Sequence, residues 1–156
     1  MGNKTMKNID LYNRISIFLE LYYQRTKLND LGGFLGVASM VSYNNNPYHP
    51  IRLEHQMVDI CIWQDWLCVI GLKHYVIESL IVDGKQYIEN TGIIEINDAN
   101  QFNHMLDFLK YMEKDWAYDW SQLFDDIEKD CQTKKEWEDS FSLLQRYLLL
   151  DKSNPQ

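Results

Sequence analysis

Hydrophobic residues in the first quarter of the chain recur with the period of a helix. Between Ile9 and Thr26, one apolar stripe has helical spacing and consists of Ile15, Phe18, Leu19 and Tyr22. Arg14 lies off this stripe. A shorter helix is predicted from Asp30 to Met40, where three glycines weaken helix formation but permit close packing. The Asn- and Pro-rich segment Ser42–Pro50 then predicts a loop.

A third helix is predicted from Arg52 to about Leu72, and its second half is apolar on nearly all sides. That pattern is typical of a central, buried helix. Cys61 and Cys68 are seven residues apart and share one helical face, so both are expected as small core residues. Asp59 and Asp65 interrupt the apolar run. Because a buried carboxylate needs a partner, each should cap a helix, pair with a neighbour or reach the surface.

The hydrophobic period changes between Tyr75 and Ile96, where β-branched and aliphatic residues form short runs. Two turn sequences separate these runs, Asp83-Gly84 and Asn90-Thr91-Gly92. The pattern predicts one β-hairpin, or three short strands. A buried continuation of the preceding helix is the alternative.

Capping patterns predict the start of two helices in the last third of the chain. Asp98 with Gln101, and Thr133 with Glu136, have the spacing of a capping box. Two apolar stripes follow the first cap: Phe102, Met105, Leu106, Leu109 and Met112, then Trp116, Trp120, Leu123, Phe124 and Ile127. The last helix carries a further stripe: Trp137, Phe141, Leu144 and Leu148.

Together these elements predict a mainly α, helical bundle-like single domain over residues 1–156. An N-terminal helical half (9–72) and a C-terminal helical half (98–150) flank one small central β-hairpin (75–96). The halves also resemble each other, because Tyr12-Asn13 precedes Phe18 at the same spacing as Phe102-Asn103 precedes Phe108. A degenerate helical duplication and a chance similarity of amphipathic helices both account for this repeat.

Composition and charge narrow the class of partner. The chain has 156 residues, 13% of them aromatic, and a formal net charge of -8. An acidic chain repels phosphate, so nucleic acid and anionic membranes are poor partners and a basic protein is a better one. The sequence begins without an apolar signal segment, and its longest uncharged stretch contains Asn and Pro, so a cytoplasmic location is expected. A monomer and a weak dimer are both compatible with this composition.

No sequence pattern for catalysis or cofactor binding is found. Nucleophile-elbow and phosphate-loop motifs are absent, and the four histidines show no metal-ligand spacing. His55 and Asp59 would face the same way on a helix, but they lack a third ligand in the nearby sequence. The three cysteines do not suggest a disulfide framework. We therefore expect no catalytic residue, no metal and no cofactor.

The segment Lys110–Asp126 interleaves aromatic residues with carboxylates, as protein interfaces do. Trp116, Trp120 and Phe124 share one helical stripe and are expected inside. The residues expected to contact a partner are Glu113, Asp115, Tyr118, Asp119, Asp125 and Asp126. Of these, the last four are expected to point towards solvent.

The first 70 or so residues carry a recurring motif set. It comprises Leu11-Tyr12 through Phe18-Leu19-Glu20, Tyr22-Tyr23-x-Arg25-Thr26, Asp30-Leu31-Gly32-Gly33-Phe34-Leu35-Gly36, and Asp59-x-x-x-Trp63-x-Asp65-Trp66-Leu67. This set resembles small acidic bacterial immunity proteins of contact-dependent growth-inhibition and other polymorphic toxin systems (the CdiI type). Ile60 and Cys61 stand where that pattern has Pro and Ala. Ser140 stands where a C-terminal copy of the motif would have its second Trp.

The resemblance implies an immunity protein rather than an enzyme. Such a protein would neutralise a cognate toxin domain, often a nuclease, by covering its active site or substrate cleft. The Lys110–Asp126 residues named above would then contact the toxin. Asp65 is expected to cap or pair with a neighbouring helix, and Trp66 to fill the core. The alternatives are a non-enzymatic scaffold or regulatory subunit with a non-toxic partner, and a small enzyme with an unrecognised site.

Overall fold

The computed structural model describes residues 5–39, 41–43, 50–53, 59–71, 79–82, 85–88 and 95–153. Over these residues the chain is mainly helical, which confirms the predicted fold class. The helices are α1 (Asn8–Thr26), α2 (Leu31–Ala38), α3 (Ile60–Val69), α4 (Asp98–Asp115), α5 (Ser121–Lys129) and α6 (Cys131–Ser153). The strands are β1 (Thr5–Lys7), β2 (Val41–Tyr43), β3 (Pro50–Leu53), β4 (Ser79–Val82), β5 (Lys85–Ile88) and β6 (Glu95–Asn97).

The described strands form three antiparallel pairs. β4 and β5 are the predicted central hairpin, paired from Ser79 opposite Ile88 to Val82 opposite Lys85. The predicted turn residues Asp83 and Gly84 lie outside the described residues. A third strand does occur near Ile96, but β6 pairs with the N-terminal strand β1 instead of extending the hairpin.

The region between α2 and α3 differs from the prediction. β2 and β3 pair where a loop and the first turn of a long helix were expected. The helix α3 begins only at Ile60, because Asp59 has extended backbone and its carboxylate accepts the Cys61 N–H at 2.9 Å. Asp59 thus caps a helix, as one of its predicted roles requires. His55, the other half of the weighed metal pair, lies outside the described residues.

The central helix is α1, not α3. Every residue from Asn8 to Leu19 except Asp10 is buried, including Arg14, which was expected off the apolar stripe. In contrast, α3 exposes Cys61 and Cys68, so the prediction that these cysteines lie in the core is wrong. Apolar composition made α3 look central, but among the described elements only one face of α3 is covered.

Aromatic rings join the two halves of the core. The Trp66 ring is fully buried and contacts Tyr12 of α1 and Phe108 of α4, with ring centroids 5.8 and 5.2 Å apart. The prediction that Trp66 fills the core is confirmed. In α2, a Cβ added at Gly32 would lie 2.7 Å from the end of the Tyr23 side chain, so glycine lets α2 pack closely on α1 without a shift of Tyr23.

Elements in the two halves follow the same order. Met6 of β1 pairs with Ile96 of β6, its equivalent 90 positions later, at the centre of the strand pair. Each strand runs directly into a helix, α1 or α4, and a second helix follows at Leu31 or at Ser121, again 90 positions apart. Left-handed backbone recurs at Lys27 (φ 54°) and Ala117 (φ 57°). The part of the sequence repeat around Tyr12 and Phe102 therefore has the same 90-residue offset as these elements.

Both predicted capping boxes are replaced by other contacts. Asn97 caps α4 by accepting the Asn100 N–H at 3.2 Å, and Asp130 accepts the Thr133 N–H ahead of α6 at 3.1 Å. The predicted capping partners bind arginines instead. Gln101 accepts from Arg14 at 2.9 Å, and Glu136 accepts two bonds from Arg25 at 2.9 and 3.1 Å. The side chains of Gln101 and Glu136 therefore bind arginines of α1 instead of the backbone N–H groups at the helix starts.

Candidate protein-binding surface

The segment predicted to contact a partner forms the corner between α4 and α5. α4 ends at Asp115, and Ala117 adopts a left-handed conformation that turns the chain. Three backbone bonds close the end of the helix: from the Trp116 N–H to Met112 at 3.0 Å, from the Ala117 N–H to Lys114 at 3.3 Å and from the Tyr118 N–H to Glu113 at 2.9 Å. The corner is therefore fixed by backbone hydrogen bonds before any side chain contributes.

Three aromatic rings stack within this corner. Tyr118 lies between Trp116 and Trp120, with centroid distances of 6.0 and 4.9 Å and interplanar angles of 23° and 25°. Phe34 of α2 meets the Trp120 ring edge-on at 5.3 Å. Trp120 is fully buried, as predicted, whereas Trp116 and Phe124 are only half-buried. Tyr118, expected to point towards solvent, is half-buried because its two neighbours in the stack cover its ring.

Three of the predicted carboxylates are exposed: Asp115, Asp119 and Asp125. Asp119 accepts the Ser121 N–H at 3.2 Å and the Ser121 hydroxyl at 2.8 Å, and these bonds lower the pKa of Asp119. The Asp125 carboxylate lies 3.0 Å from Lys129, one helical turn away. Solvent-exposed ion pairs of this kind are weak, so a stronger cationic partner can displace Lys129.

The other two predicted carboxylates stabilise the fold. Glu113 accepts the Trp120 N–H at 2.7 Å and so holds the corner closed. Asp126, expected in solvent, is half-buried and accepts the Tyr22 hydroxyl at 2.7 Å. Burial, followed by the bond to Asp126, raises the pKa of Tyr22. Each carboxylate satisfies a donor that the folded chain would otherwise leave without an acceptor.

A neighbouring acidic face between α3 and α4 was not predicted. Asp65 accepts the hydroxyl of Tyr111 at 3.4 Å, which confirms the expectation that Asp65 pairs with another helix. Partial burial and then the charge of Asp115 raise the pKa of Asp65. Tyr111 is 38% exposed, and chiefly the Asp65 charge raises its pKa. Asp115 thus belongs both to this face and to the α4–α5 corner.

The carboxylates near the exposed Cys61 thiol disfavour its ionisation. The charge of Asp59 is the largest cause of the raised pKa of Cys61, and the raised pKa disfavours the reactive thiolate.

Within the described part of the chain, no group of three His, Cys, Asp or Glu side chains could hold a metal ion. None of the described helices is long and apolar enough to cross a membrane.

Comparison with known proteins finds no match for this chain, whether among protein-family models, curated proteins or solved structures. The resemblance to toxin-neutralising immunity proteins rests on the motifs of the first 70 or so residues and stays a prediction. The geometry of the α4–α5 corner is the more direct guide to function.

Proposed function

We propose that this protein binds and neutralises a cognate bacterial toxin domain by covering its active site or substrate cleft. The observation that carries the proposal is the α4–α5 corner, where Asp115, Asp119 and Asp125 are exposed around a fixed aromatic stack. Carboxylates combined with Trp and Tyr side chains are well suited to a basic protein surface.

The charge of the chain supports a basic partner. A formal net charge of -8 attracts a positively charged cleft over distances of about a Debye length, roughly 8–10 Å at physiological salt. Clefts that bind phosphates, such as those of nucleases, carry the complementary charge. Carboxylates placed over such a cleft would occupy the positions of phosphates and speed association.

The rigidity of the corner also supports a binding role. The Glu113 carboxylate holds the Trp120 N–H, and the Ser121 bonds hold the Asp119 carboxylate. Side chains that are already ordered lose less conformational entropy when a partner binds. A prearranged set of charges therefore contributes more net affinity than the same charges on a flexible loop.

The motif resemblance supplies the toxin as the kind of partner. Its residues lie in or directly before α1, α2 and α3, and the structure buries most of its apolar and aromatic side chains in the core, as with Phe18, Tyr22 and Trp66. The proposed contact residues lie in the other half. On this proposal a common N-terminal core supports a recognition surface that can match one particular toxin.

A growth experiment tests the proposal. The C-terminal domain encoded by the adjacent open reading frame is expressed in cells with and without this protein. We expect growth arrest from the domain alone and recovery when both are present. A harmless neighbour, or arrest that this protein fails to relieve, would remove the toxin from the proposal.

Charge variants locate the surface. Asp115→Asn, Asp119→Asn and Asp125→Asn are combined, since asparagine keeps an oxygen that can accept the Ser121 bonds. We expect the triple variant to associate more slowly with the toxin domain than the wild type does, and its association rate to depend less on salt concentration. Asp139→Asn is the matched control, because Asp139 also faces a lysine one turn away on its helix, Lys135 at 3.6 Å. Equal effects from the triple variant and the control would place the interface elsewhere.

A further inference from the structure

An apolar cavity opens between α1, α4, α5 and α6, outside the α4–α5 corner. Its volume is about 250 Å³. The inner wall is formed by Phe18, Met105, Ile127 and Trp137, and the mouth carries Phe102, Lys134 and Glu138. Phe102 is 37% exposed, one of few large hydrophobic side chains at the described surface.

Aromatic contacts hold the wall of this cavity in place. Trp137 meets Phe18 edge-on at 5.5 Å and Phe102 edge-on at 6.1 Å. The guanidinium of Arg14 lies 3.7 Å from the centre of the Trp137 ring, within cation–π distance. Because Trp137 is held by contacts on several sides, the cavity is formed before anything enters it.

Polar groups are placed at the mouth rather than inside. Thr133 is the one buried polar side chain among the described lining residues. Its hydroxyl donates to Asp130 at 2.7 Å and accepts from Arg25 at 3.0 Å, so it is already engaged. A small metabolite needs polar groups within its site to fix its orientation. A protein side chain does not, because the rest of the interface orients it.

We propose that this cavity receives one large apolar side chain of a protein partner. A cavity of roughly 150 Å³ already admits benzene, so the volume here suits a leucine or a phenylalanine. An apolar centre inside a charged rim, here Lys134 and Glu138, is the arrangement of an interface hot spot.

Binding to the isolated chain is measured first and requires no toxin. Methyl NMR signals of Met105 and Ile127 are followed while N-acetyl-leucinamide or N-acetyl-phenylalaninamide is added, with N-acetyl-alaninamide as the small control. We expect saturable shifts from the two large probes only. Absent shifts, or equal shifts from the alanine probe, would overturn the inference. Shifts from toluene but from neither large probe would indicate a small apolar ligand instead.

Variants connect the shifts to the cavity. Ile127→Phe places a ring in the cavity and should abolish the shifts of Met105 while the protein still unfolds cooperatively. Phe102→Ala, at the exposed mouth, keeps the core intact and should weaken probe binding. Tyr111→Ala is its matched control on the same helix, with 38% exposure against 37%. Shifts that survive in both cavity variants would contradict the proposal.

The identity of the partner rests on the proposed function and is tested separately. With the toxin domain, Phe102→Ala should weaken binding roughly tenfold, as hot-spot truncations do, and Tyr111→Ala should not. If the toxin binds both variants equally, the cavity proposal fails and the proposed function stands. If no toxin is found but the NMR shifts appear, the cavity stands and its partner is a different protein.

Discussion

α1 and α4 each follow one strand of the β1–β6 pair, yet their surroundings differ. α1 is buried on almost every side from Asn8 to Leu19. α4 buries one face and leaves the other in solvent. Tyr12 and Phe102 are equivalent positions, 90 apart in the chain, and they are 1% and 37% exposed.

Coverage of a helix by neighbouring elements, more than its composition, therefore determines which helix is central. α6 packs along α1, α2 closes another side, and β1, β2 and β6 also contact it. α4 has α3 along one side and water along another, so its apolar residues are confined to a stripe. Position-matched substitutions in the two helices test this explanation directly.

The largest loss of stability is expected at Trp66, whose ring contacts both α1 and α4. Trp66→Ala removes a fully buried indole between Tyr12 and Phe108 and should cost about 3–5 kcal/mol of unfolding free energy. Chemical denaturation measures the loss. Cys68→Ala, on the exposed side of α3, should stay within about 0.5 kcal/mol of the wild type. A Trp66→Ala protein with the wild-type midpoint would contradict the assignment of Trp66 to the shared core.

A reciprocal pair at the equivalent positions should give the next largest effect. The Tyr12 hydroxyl donates to the Ala38 carbonyl at 2.7 Å, and that carbonyl lies in the last turn of α2, where helical partners are lacking. Tyr12→Phe leaves it unsatisfied and should cost about 1–3 kcal/mol. Phe102→Tyr only adds a hydroxyl at the surface and should be nearly neutral. Equal losses in urea denaturation would mean that the two positions are equally buried.

A smaller effect is expected at the end of α1. Glu136 is buried, and its carboxylate accepts hydrogen bonds from two guanidinium nitrogens of Arg25. The Arg25 side chain is itself 37% exposed. Glu136→Gln keeps the shape but replaces charge-assisted bonds by neutral ones, so it should cost roughly 1 kcal/mol. Glu138→Gln, two residues along and exposed, is the control and should cost nothing measurable. A Glu136→Gln midpoint equal to the control would show that the Arg25 bonds do not stabilise the fold.

The smallest effect on stability is expected from His104, which occupies the position on α4 that is equivalent to Arg14 on α1. Burial lowers the pKa of His104 below its usual 6.5, against an opposing contribution from Asp107. The unfolded chain therefore takes up the proton first. Stability should fall as the pH drops through 6.5 towards the folded pKa and change no further below it. His104→Gln should reduce the difference in unfolding free energy between pH 7.5 and pH 5.5, and an unchanged difference would exclude this contribution.

Local signals predicted much of the fold. The periodic stripes located α1 and α4, and the turn sequence located the β4–β5 hairpin, whereas the third helix, predicted from Arg52, begins only at Ile60. The β1–β6 and β2–β3 pairings were missed, because strands of three or four residues leave no periodic pattern in the sequence.

The candidate surface was only partly predicted, because some of its contacts come from distant parts of the chain. The exposure of Asp119 and Asp125 follows from their positions off the apolar stripe of Trp120, Phe124 and Ile127. The structural role of Asp126 does not, because its donor is Tyr22, 104 residues away. Glu113 was predicted to contact a partner, but the chain reversal at Ala117 brings its carboxylate to the Trp120 N–H instead.

Helical period, net charge and aromatic content are properties of the sequence, so the sequence by itself determined a mainly α, acidic chain with an aromatic core. Which helix became central, which carboxylates stayed exposed and where a cavity formed were decided only by the tertiary structure. The physical reason is that burial depends on the elements packed around a residue, which come from distant parts of the chain.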